Sequence, residues 1–190
     1  MPLLILDRDG VINQDSANYI RGLDNWVPIA GSLAAIASLS RAGYSIAIAT
    51  NQSGLSRGYF TLDDLEAIHA RLCCEVEEQG GRIAGVFYCP HLPEENCSCR
   101  KPATGLLEAI ETELGQSARG AIFIGDSLKD LQAALAFGCK PVLVRTGKGA
   151  ETEQALQAAD CDLPDPGAIP VYDNLASAAK TILDQPRFIA

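Results

Sequence analysis

The stretch that decides the fold is Leu3–Asp15, which reads LLILDRDGVINQD. It opens with four consecutive apolar residues, a pattern typical of a strand that is buried on both faces of a parallel sheet. The run ends at two carboxylates, Asp7 and Asp9, that are a single residue apart. Like charges this close repel each other and are costly to remove from water, so we expect a cation and an electrophilic substrate beside them.

Further apolar runs continue the strand pattern along the chain, and amphipathic patterns separate them. The strand-like runs lie at 3–7, 44–50, 83–89, 120–125 and 139–145, and the helical patterns at 31–42, 61–79, 104–115, 127–137, 150–159 and 173–184. Strand–helix alternation predicts right-handed crossovers and a doubly wound parallel sheet. The segments between the predicted strands leave little room for a large inserted cap, and no composition break divides the chain. We therefore predict one Rossmann-type α/β domain over residues 1–190, without a large cap. Residues 150–190 are expected to add a helix-and-strand pair to the sheet.

Composition narrows the class of protein. The chain has 190 residues, 47% of them hydrophobic and 21% charged, as in ordinary globular proteins. A net charge of −9 argues against nucleic acid and membrane partners, and the opening apolar run is too short for a signal peptide. Seven cysteines, an odd count, do not resemble a secreted disulfide scaffold. We predict a cytoplasmic monomer that acts on a small molecule.

Polar residues follow the ends of three predicted strands. Asp7 and Asp9 follow the first, Thr50 and Asn51 end the second, and Asp126 follows the fourth. Ligands bind parallel sheets at the carboxyl ends of the strands. The sequence therefore predicts one site at this edge.

The residue types at this edge suit phosphoryl transfer. Asp7, at the tip of a strand, can attack phosphorus and form an aspartyl-phosphate. Asp9 can protonate the leaving oxygen and later deprotonate water, a role for which we expect a raised pKa. Thr50 can donate to phosphoryl oxygens, and Lys101 can balance charge in the transition state.

A magnesium site is also predicted at this edge. Asp126, in GDSLKD, offers the hard oxygen ligand that Mg²⁺ prefers. Asp130 lies one helical turn later, and the pattern fits two interpretations: support for the metal site, or a charge on the helix surface.

A second metal site is predicted in the segment 89–101. Cys89, His91, Cys97 and Cys99 have the spacing C-x-H-x₅-C-x-C. Three thiolates and one imidazole within eleven residues match a closed, tetrahedral, structural Zn²⁺ site. A redox-active cysteine pair and packed free cysteines are the alternatives. Because Lys101 follows the last ligand closely, zinc would anchor this cation at the site.

Four motifs, DRDG, ATNQSG, the lysine of RKP and GDSLKD, resemble in this order those of the HAD-like phosphohydrolases. The resemblance implies an aspartate nucleophile at Asp7 and an acid/base at Asp9. It also implies that Thr50 and Lys101 hold the phosphoryl group. Mg²⁺ would be bound by Asp7, Asp126 and the backbone carbonyl of Asp9.

Three longer stretches, LDRDGVIN, TNQSGLSRGYFT and GDSLKDLQAA, together with the cysteine segment, resemble those of a narrower family. These are the D-glycero-D-manno-heptose-1,7-bisphosphate 7-phosphatases and the related histidinol-phosphate phosphatases. This resemblance implies a cap-free fold, a zinc loop inserted after the third strand, and removal of the 7-phosphate in heptose biosynthesis. The implied substrate-binding residues are Asp15, Tyr19, Thr50, Asn51, Gln52, Ser53, Arg100 and Lys101. Arg57, Arg145 and Lys148 are further candidates for binding a second phosphate.

Other functions stay open at this point. Histidinol phosphate, or another small phosphosugar, is an alternative substrate. A zinc-loop binding protein that has lost catalysis is the alternative outside enzymes. Ser127 stands where the heptose enzymes often carry lysine, which puts one substrate contact in question. His69 is expected to be a surface or packing residue.

Overall fold

The computed structural model describes residues 1–158 and 161–184. Its strands are β1 (Leu3–Leu6), β2 (Ser45–Asn51), β3 (Gly85–Cys89), β4 (Ile122–Gly125), β5 (Lys140–Val144) and β6 (Val171–Tyr172). Its helices are α1 (Ser32–Arg41), α2 (Leu62–Glu78), α3 (Gly105–Leu114), α4 (Leu128–Phe137), α5 (Gly149–Gln157) and α6 (Leu175–Asp184). Each predicted strand or helix boundary that falls on described residues is confirmed to within two residues. Residues 159, 160 and 185–190 of the predicted 1–190 domain lie outside the described residues.

All six strands form one parallel sheet in the order β3-β2-β1-β4-β5-β6. The chain moves outward from β1 to β3, returns to pair β4 with the other side of β1, and then continues to β6. The order therefore reverses between β1 and β4. In open parallel sheets this switch point is where a crevice for a ligand forms.

Alternate residues of β1 pack against helices on opposite faces of the sheet. Leu4 and Leu6 belong to a buried cluster with residues of α1, α2 and α6. Leu3 and Ile5 belong to a second cluster with residues of α3 and α4. All four are 5% exposed or less, which explains why this strand shows no polar alternation.

The amino end of α2 has a capping box, formed by Thr61 and Asp64. The Thr61 hydroxyl accepts a hydrogen bond from the Asp64 backbone N–H, and the Asp64 carboxylate accepts one from the Thr61 backbone N–H. On the apolar face of α2, Leu65, Ile68, Leu72 and Val76 are buried, whereas Leu62 is 43% exposed. Leu62 is exposed because it begins the first turn, beyond the part of α2 that covers the sheet.

No large cap interrupts the described part of the fold. The segment between β1 and α1 contains one short 3₁₀ turn, Leu23–Asn25, and the segment between β3 and α3 contains another, Pro93–Glu95. The predicted contribution of the carboxyl-terminal segment is also confirmed, as β6 and α6 complete the sheet and one helical layer. Among the described residues, no helix combines the length and apolarity needed to cross a membrane.

Candidate active site

A cavity of about 1030 Å³ opens at the carboxyl edge of the sheet, above the switch point. The predicted residues that line it are Asp7, Asp9, Asp15, Tyr19, Thr50, Asn51, Gln52, Ser53, Arg100, Lys101, Lys148 and Asp126. The structure thus brings together side chains from three strand ends and from the segment after Cys99. This is the convergence that the strand-end pattern predicts.

Lys101 lies at the centre of the carboxylate cluster. Its Nζ is 2.9 Å from Asp7 Oδ1 and 2.6 Å from Asp130 Oδ1, and it donates a 2.7 Å hydrogen bond to the Ala49 carbonyl. Lys101 is 3% exposed. Burial lowers the pKa of Lys101, but the charges of Asp130 and Asp7 outweigh it and raise the pKa overall. The ammonium therefore stays charged and faces the predicted nucleophile.

The buried carboxylates outnumber the cations that neutralise them. Oxygens of Asp7, Asp126 and Asp130 lie within 4.8 Å of one another. Burial, with the neighbouring carboxylates, raises the pKa of Asp7 to about 7, although Lys101 lowers it. Burial and the charges of Asp7 and Asp130 raise the pKa of Asp126 to about 8. Three hard oxygen donors around one ammonium fit a divalent cation such as Mg²⁺, which would allow all three to ionise.

Two glycines leave room for the Asp126 carboxylate. A Cβ on Gly10 would lie 2.1 Å from Asp126 Oδ2, and so would a Cβ on Gly147. Both glycines have positive φ, 83° and 60°, which disfavours other residues there. The Lys148 backbone N–H donates a 2.8 Å hydrogen bond to Asp126 Oδ2. Asp126 is therefore fixed by the loop after β5 as well as by β4.

Asp9 has a different environment from the other carboxylates. Arg8 Nε and Nη2 donate to its two oxygens at 2.9 and 3.0 Å, and Asn13 and Gln52 each donate at 2.9 Å. Burial raises the pKa of Asp9, but the Arg8 charge and these hydrogen bonds outweigh it and lower the pKa overall. The expectation of a raised pKa for Asp9 is therefore wrong in the ligand-free protein.

The residues of the ATNQSG motif are tied to the site by hydrogen bonds. Asn51 donates to the Lys101 carbonyl and accepts from the Lys101 N–H, both at 3.1 Å, so its amide holds Lys101 in place. Gln52 donates to Asp9 and, at 2.9 Å, to Thr50 Oγ1. Because Thr50 Oγ1 accepts this bond, its own O–H is directed elsewhere, and Thr50 lines the cavity.

The four residues of the predicted zinc site converge after β3. The sulfur and nitrogen atoms of Cys89, His91, Cys97 and Cys99 lie within 4.8 Å of one another, with pairs at 3.0–3.6 Å. None of these three cysteines is in a disulfide. Three sulfurs and one imidazole nitrogen are the soft donor set of structural zinc sites. Arg100 Nη1 donates to the His91 carbonyl at 3.2 Å, so the cluster is linked to the cavity wall.

Two of the predicted phosphate-binding cations do not reach the cavity. Arg57 is exposed and lies outside the lining residues, because the turn after Ser53 carries it away from the site. Arg145 pairs with Glu153 and Asp173 on the surface. Lys148 does reach the rim, where its Nζ is 3.3 Å from Asp15 Oδ2.

Three further residues belong to the site: Asp130, whose role the sequence left open, and Lys129 and Arg8, which the sequence did not indicate. Asp130 is 1% exposed and belongs to the carboxylate cluster, so the interpretation as a surface charge is wrong. Lys129 lines the cavity, and burial together with the positive charges of Arg100 and Lys148 lowers its pKa. Arg8 is fully buried behind Asp9. Only Asp130 had a sequence signal, the capping-box spacing from Ser127.

The chain is similar to several known proteins. A model of HAD-hydrolase-like proteins matches residues 98–178. A Pseudomonas putida protein named D-glycero-beta-D-manno-heptose-1,7-bisphosphate 7-phosphatase is 52% identical over 184 residues, 96% of this chain and 100% of the relative. A Neisseria meningitidis protein of the same name is 44% identical, over 97% of this chain and 96% of the relative.

A solved structure extends the likeness to three dimensions. It is the D,D-heptose 1,7-bisphosphate phosphatase of B. bronchiseptica, crystallised with magnesium and phosphate. It superposes with a TM-score of 0.88 at 42% identity, and the match covers 97% of this chain and 99% of that one. These findings confirm the resemblance that the motifs predict: the chain belongs to the D-glycero-β-D-manno-heptose-1,7-bisphosphate 7-phosphatase family of HAD-like hydrolases.

Proposed function

We propose that this protein is a Mg²⁺-dependent phosphatase that removes the 7-phosphate of D-glycero-β-D-manno-heptose 1,7-bisphosphate. The observation that carries the proposal is the Asp7–Lys101 pair, 2.9 Å apart in a cluster of buried carboxylates at the switch point. Relatives named for this reaction are up to 52% identical over nearly the whole chain.

Asp7 is the nucleophile. Its carboxylate attacks the 7-phosphorus, the ester P–O bond breaks, and an aspartyl-phosphate forms on Asp7. Lys101 and the free O–H of Thr50 stabilise the phosphoryl oxygens as charge develops on them. Asn51 positions Lys101 through its two backbone hydrogen bonds.

Asp9 is the acid and base. It gives its proton to the sugar oxygen as the P–O bond breaks, and it takes a proton from the water that then attacks the phospho-enzyme. The lowered pKa of Asp9 keeps its carboxylate ionised, as it must be to accept a proton in the second step. The negative charge of an arriving phosphate raises the pKa of a nearby carboxyl, which favours the first step.

Asp7, Asp126 and the backbone carbonyl of Asp9 would bind Mg²⁺, with Asp130 beside them. A bound divalent cation supplies positive charge that stabilises the ionised carboxylates and the phosphoryl oxygens. Support comes from the fit of the oxygen donors and from the relative that was crystallised with magnesium and phosphate.

The remote part of the substrate faces a cationic rim. Arg100, Lys129 and Lys148 line the cavity beyond the reaction centre, and among the described residues Arg100 and Lys129 have no carboxylate partner within 4.0 Å. A second phosphate on the same sugar would be attracted to these charges. Asp15, Tyr19 and Ser53 would contact the sugar hydroxyls.

We further propose that Zn²⁺ binds Cys89, His91, Cys97 and Cys99 and has a structural role. Four protein ligands leave no open position for water. The loop that they hold continues directly into Arg100 and Lys101, so the metal would fix the two cations of the cavity wall. We also propose a cytoplasmic location, which the odd count of seven cysteines supports, and a monomeric state; cell fractionation and size-exclusion chromatography would test them.

Turnover on matched substrates tests the proposal. The zinc-loaded protein, with Mg²⁺, should release phosphate from carbon 7 of the heptose bisphosphate, and ³¹P NMR identifies the position. Preference for histidinol phosphate, or release of the 1-phosphate, would contradict the substrate assignment. Binding of substrate with no turnover would favour the non-enzymatic alternative.

A further inference from the structure

Arg8 makes an unusual set of contacts for an arginine. It is 0% exposed, and it lies between the two predicted catalytic carboxylates in the chain. Its Nε is 2.9 Å from Asp9 Oδ1 and its Nη2 is 3.0 Å from Asp9 Oδ2. This two-point contact fixes the plane of the Asp9 carboxylate, whose side-chain torsion would otherwise be broad.

The remaining arm of the guanidinium reaches helix α2. Arg8 Nη1 lies 3.2 Å from His69 Nε2, and His69 is 9% exposed. Arginine has donors only, so Nε2 must be the acceptor and the imidazole must be neutral. Burial and the Arg8 charge lower the pKa of His69 to about 4, which agrees with this assignment.

The two oxygens of Asp9 are not equivalent. Oδ1 accepts from Arg8 and Asn13, neither of which lines the cavity. Oδ2 accepts from Arg8 and from Gln52, which does line the cavity. Both contacts to Oδ2 are partly buried, but of the two donors only Gln52 adjoins the cavity. Oδ2 is therefore the oxygen on the cavity side.

We propose that Arg8 and His69 are positioning residues for the reaction: His69 fixes the rotation of Arg8, and Arg8 holds Asp9 with Oδ2 toward the sugar oxygen of the substrate. The inference rests on the acid/base role proposed for Asp9. General acids need a geometry held within a fraction of an ångström, so a loosened Arg8 should slow proton transfer selectively.

The dependence on the leaving group separates this role from a structural one. A sugar oxygen needs a proton as it leaves, whereas p-nitrophenolate leaves readily without one. The measured quantity is kcat/KM, because it includes the leaving-group step but not the later hydrolysis of the phospho-enzyme. The probes are the heptose bisphosphate and p-nitrophenyl phosphate, assayed with the zinc- and Mg²⁺-loaded protein.

Four variants are compared. Asp9→Asn should lose roughly 100-fold or more on the sugar phosphate and far less on the aryl phosphate. His69→Leu should lose about tenfold on the sugar phosphate alone, because Arg8 loses its acceptor. His69→Gln should recover most of this loss, since its amide oxygen can accept from Arg8. Ile68→Val, a conservative change at the buried residue next to His69 in α2, should leave the ratio of the two kcat/KM values unchanged.

Each result has a distinct meaning. Suppose that Asp9→Asn lowers kcat/KM more on the sugar phosphate than on the aryl phosphate. The positioning role is then overturned if His69→Leu lowers kcat/KM equally on both substrates, or on neither. No discrimination by Asp9→Asn would instead refute the acid role itself. If His69→Leu does not fold, Arg8→Lys serves in its place. It keeps a buried cation but cannot make the two-point contact, so it should show the same selective loss.

Discussion

Without magnesium, the protein should become less stable as the pH rises above about 6.5. The cause is the pair of carboxyls whose pKa values burial raises, Asp7 to about 7 and Asp126 to about 8, from 3.8. In this range the folded protein holds protons that the unfolded chain has already released, so each increment of pH favours unfolding. The stabilisation is complete below about pH 3.8 and is lost as the pH rises through the folded pKa values.

The size of the effect follows from these values. A pKa unit corresponds to about 1.4 kcal/mol, so between about pH 6.5 and 8 Asp7 contributes about 0.7 kcal/mol and Asp126 about 2 kcal/mol. His69 acts in the opposite direction, because burial lowers its pKa to about 4 from 6.5. Its contribution rises with pH and is complete above about pH 6.5, which is why the window starts there. We expect a net loss of about 2–3 kcal/mol.

Urea unfolding of the zinc-loaded protein at the two pH values measures this loss. With saturating Mg²⁺ the loss should be smaller, because binding to the folded state favours the ionised carboxylates. Asp126→Asn removes the larger titrating group and should flatten the pH dependence. A zinc-loaded, magnesium-free protein that is equally stable at both pH values would refute the reasoning, as would an Asp126→Asn variant whose stability changes as steeply with pH as that of the unmodified protein.

Three further predictions concern single positions. Gly10→Ala places a methyl group 2.1 Å from Asp126 Oδ2, so the affinity for Mg²⁺ should fall. The left-handed backbone at this position should alone lower the free energy of unfolding by about 1–2 kcal/mol. An unchanged Mg²⁺ affinity by calorimetry would contradict the close packing. Asn51→Ala frees the Lys101 backbone, and kcat should fall about tenfold or more in steady-state assays; full activity would show that Lys101 needs no such support. Cys99→Ser should abolish tight zinc binding and reduce both the melting temperature and kcat/KM; a zinc-free variant that keeps full kcat/KM would exclude the anchoring of Arg100 and Lys101.

Much of the fold could be predicted because the local patterns of strands and helices agree with the burial that the complete sheet imposes on them. The β1 run is apolar at every position since both faces of the strand are covered, by α1, α2 and α6 on one side and α3 and α4 on the other. The boundary of α2 follows from the Thr61–Asp64 capping box. Strand ends then bring Asp7, Thr50 and Asp126 to one edge, which any parallel sheet of this order requires.

The rest of the site depends on long-range packing. Arginine is rarely buried, so the burial of Arg8 could not be predicted. Its contact with His69 could not be predicted either, because His69 is 61 residues away in the sequence, in α2. In the sequence, Asp130 has the pattern of an exposed helix charge. In the structure its carboxylate accepts a hydrogen bond from the Ser127 backbone N–H and lies beside Lys101. The pKa of Asp9 could not be predicted, because its sign depends on these buried donors. Arg57 is close to the ATNQSG motif in sequence, yet the turn after Ser53 directs it away from the cavity.

Trapping the covalent intermediate tests the central claim most directly. The zinc-loaded protein is mixed with heptose bisphosphate and Mg²⁺, quenched in acid within one turnover, digested and analysed by mass spectrometry. The account predicts one added phosphoryl group on the peptide that contains Asp7, and none in Asp7→Asn. A phosphoryl group on another residue, or an Asp7→Asn variant that still hydrolyses the substrate, would contradict it.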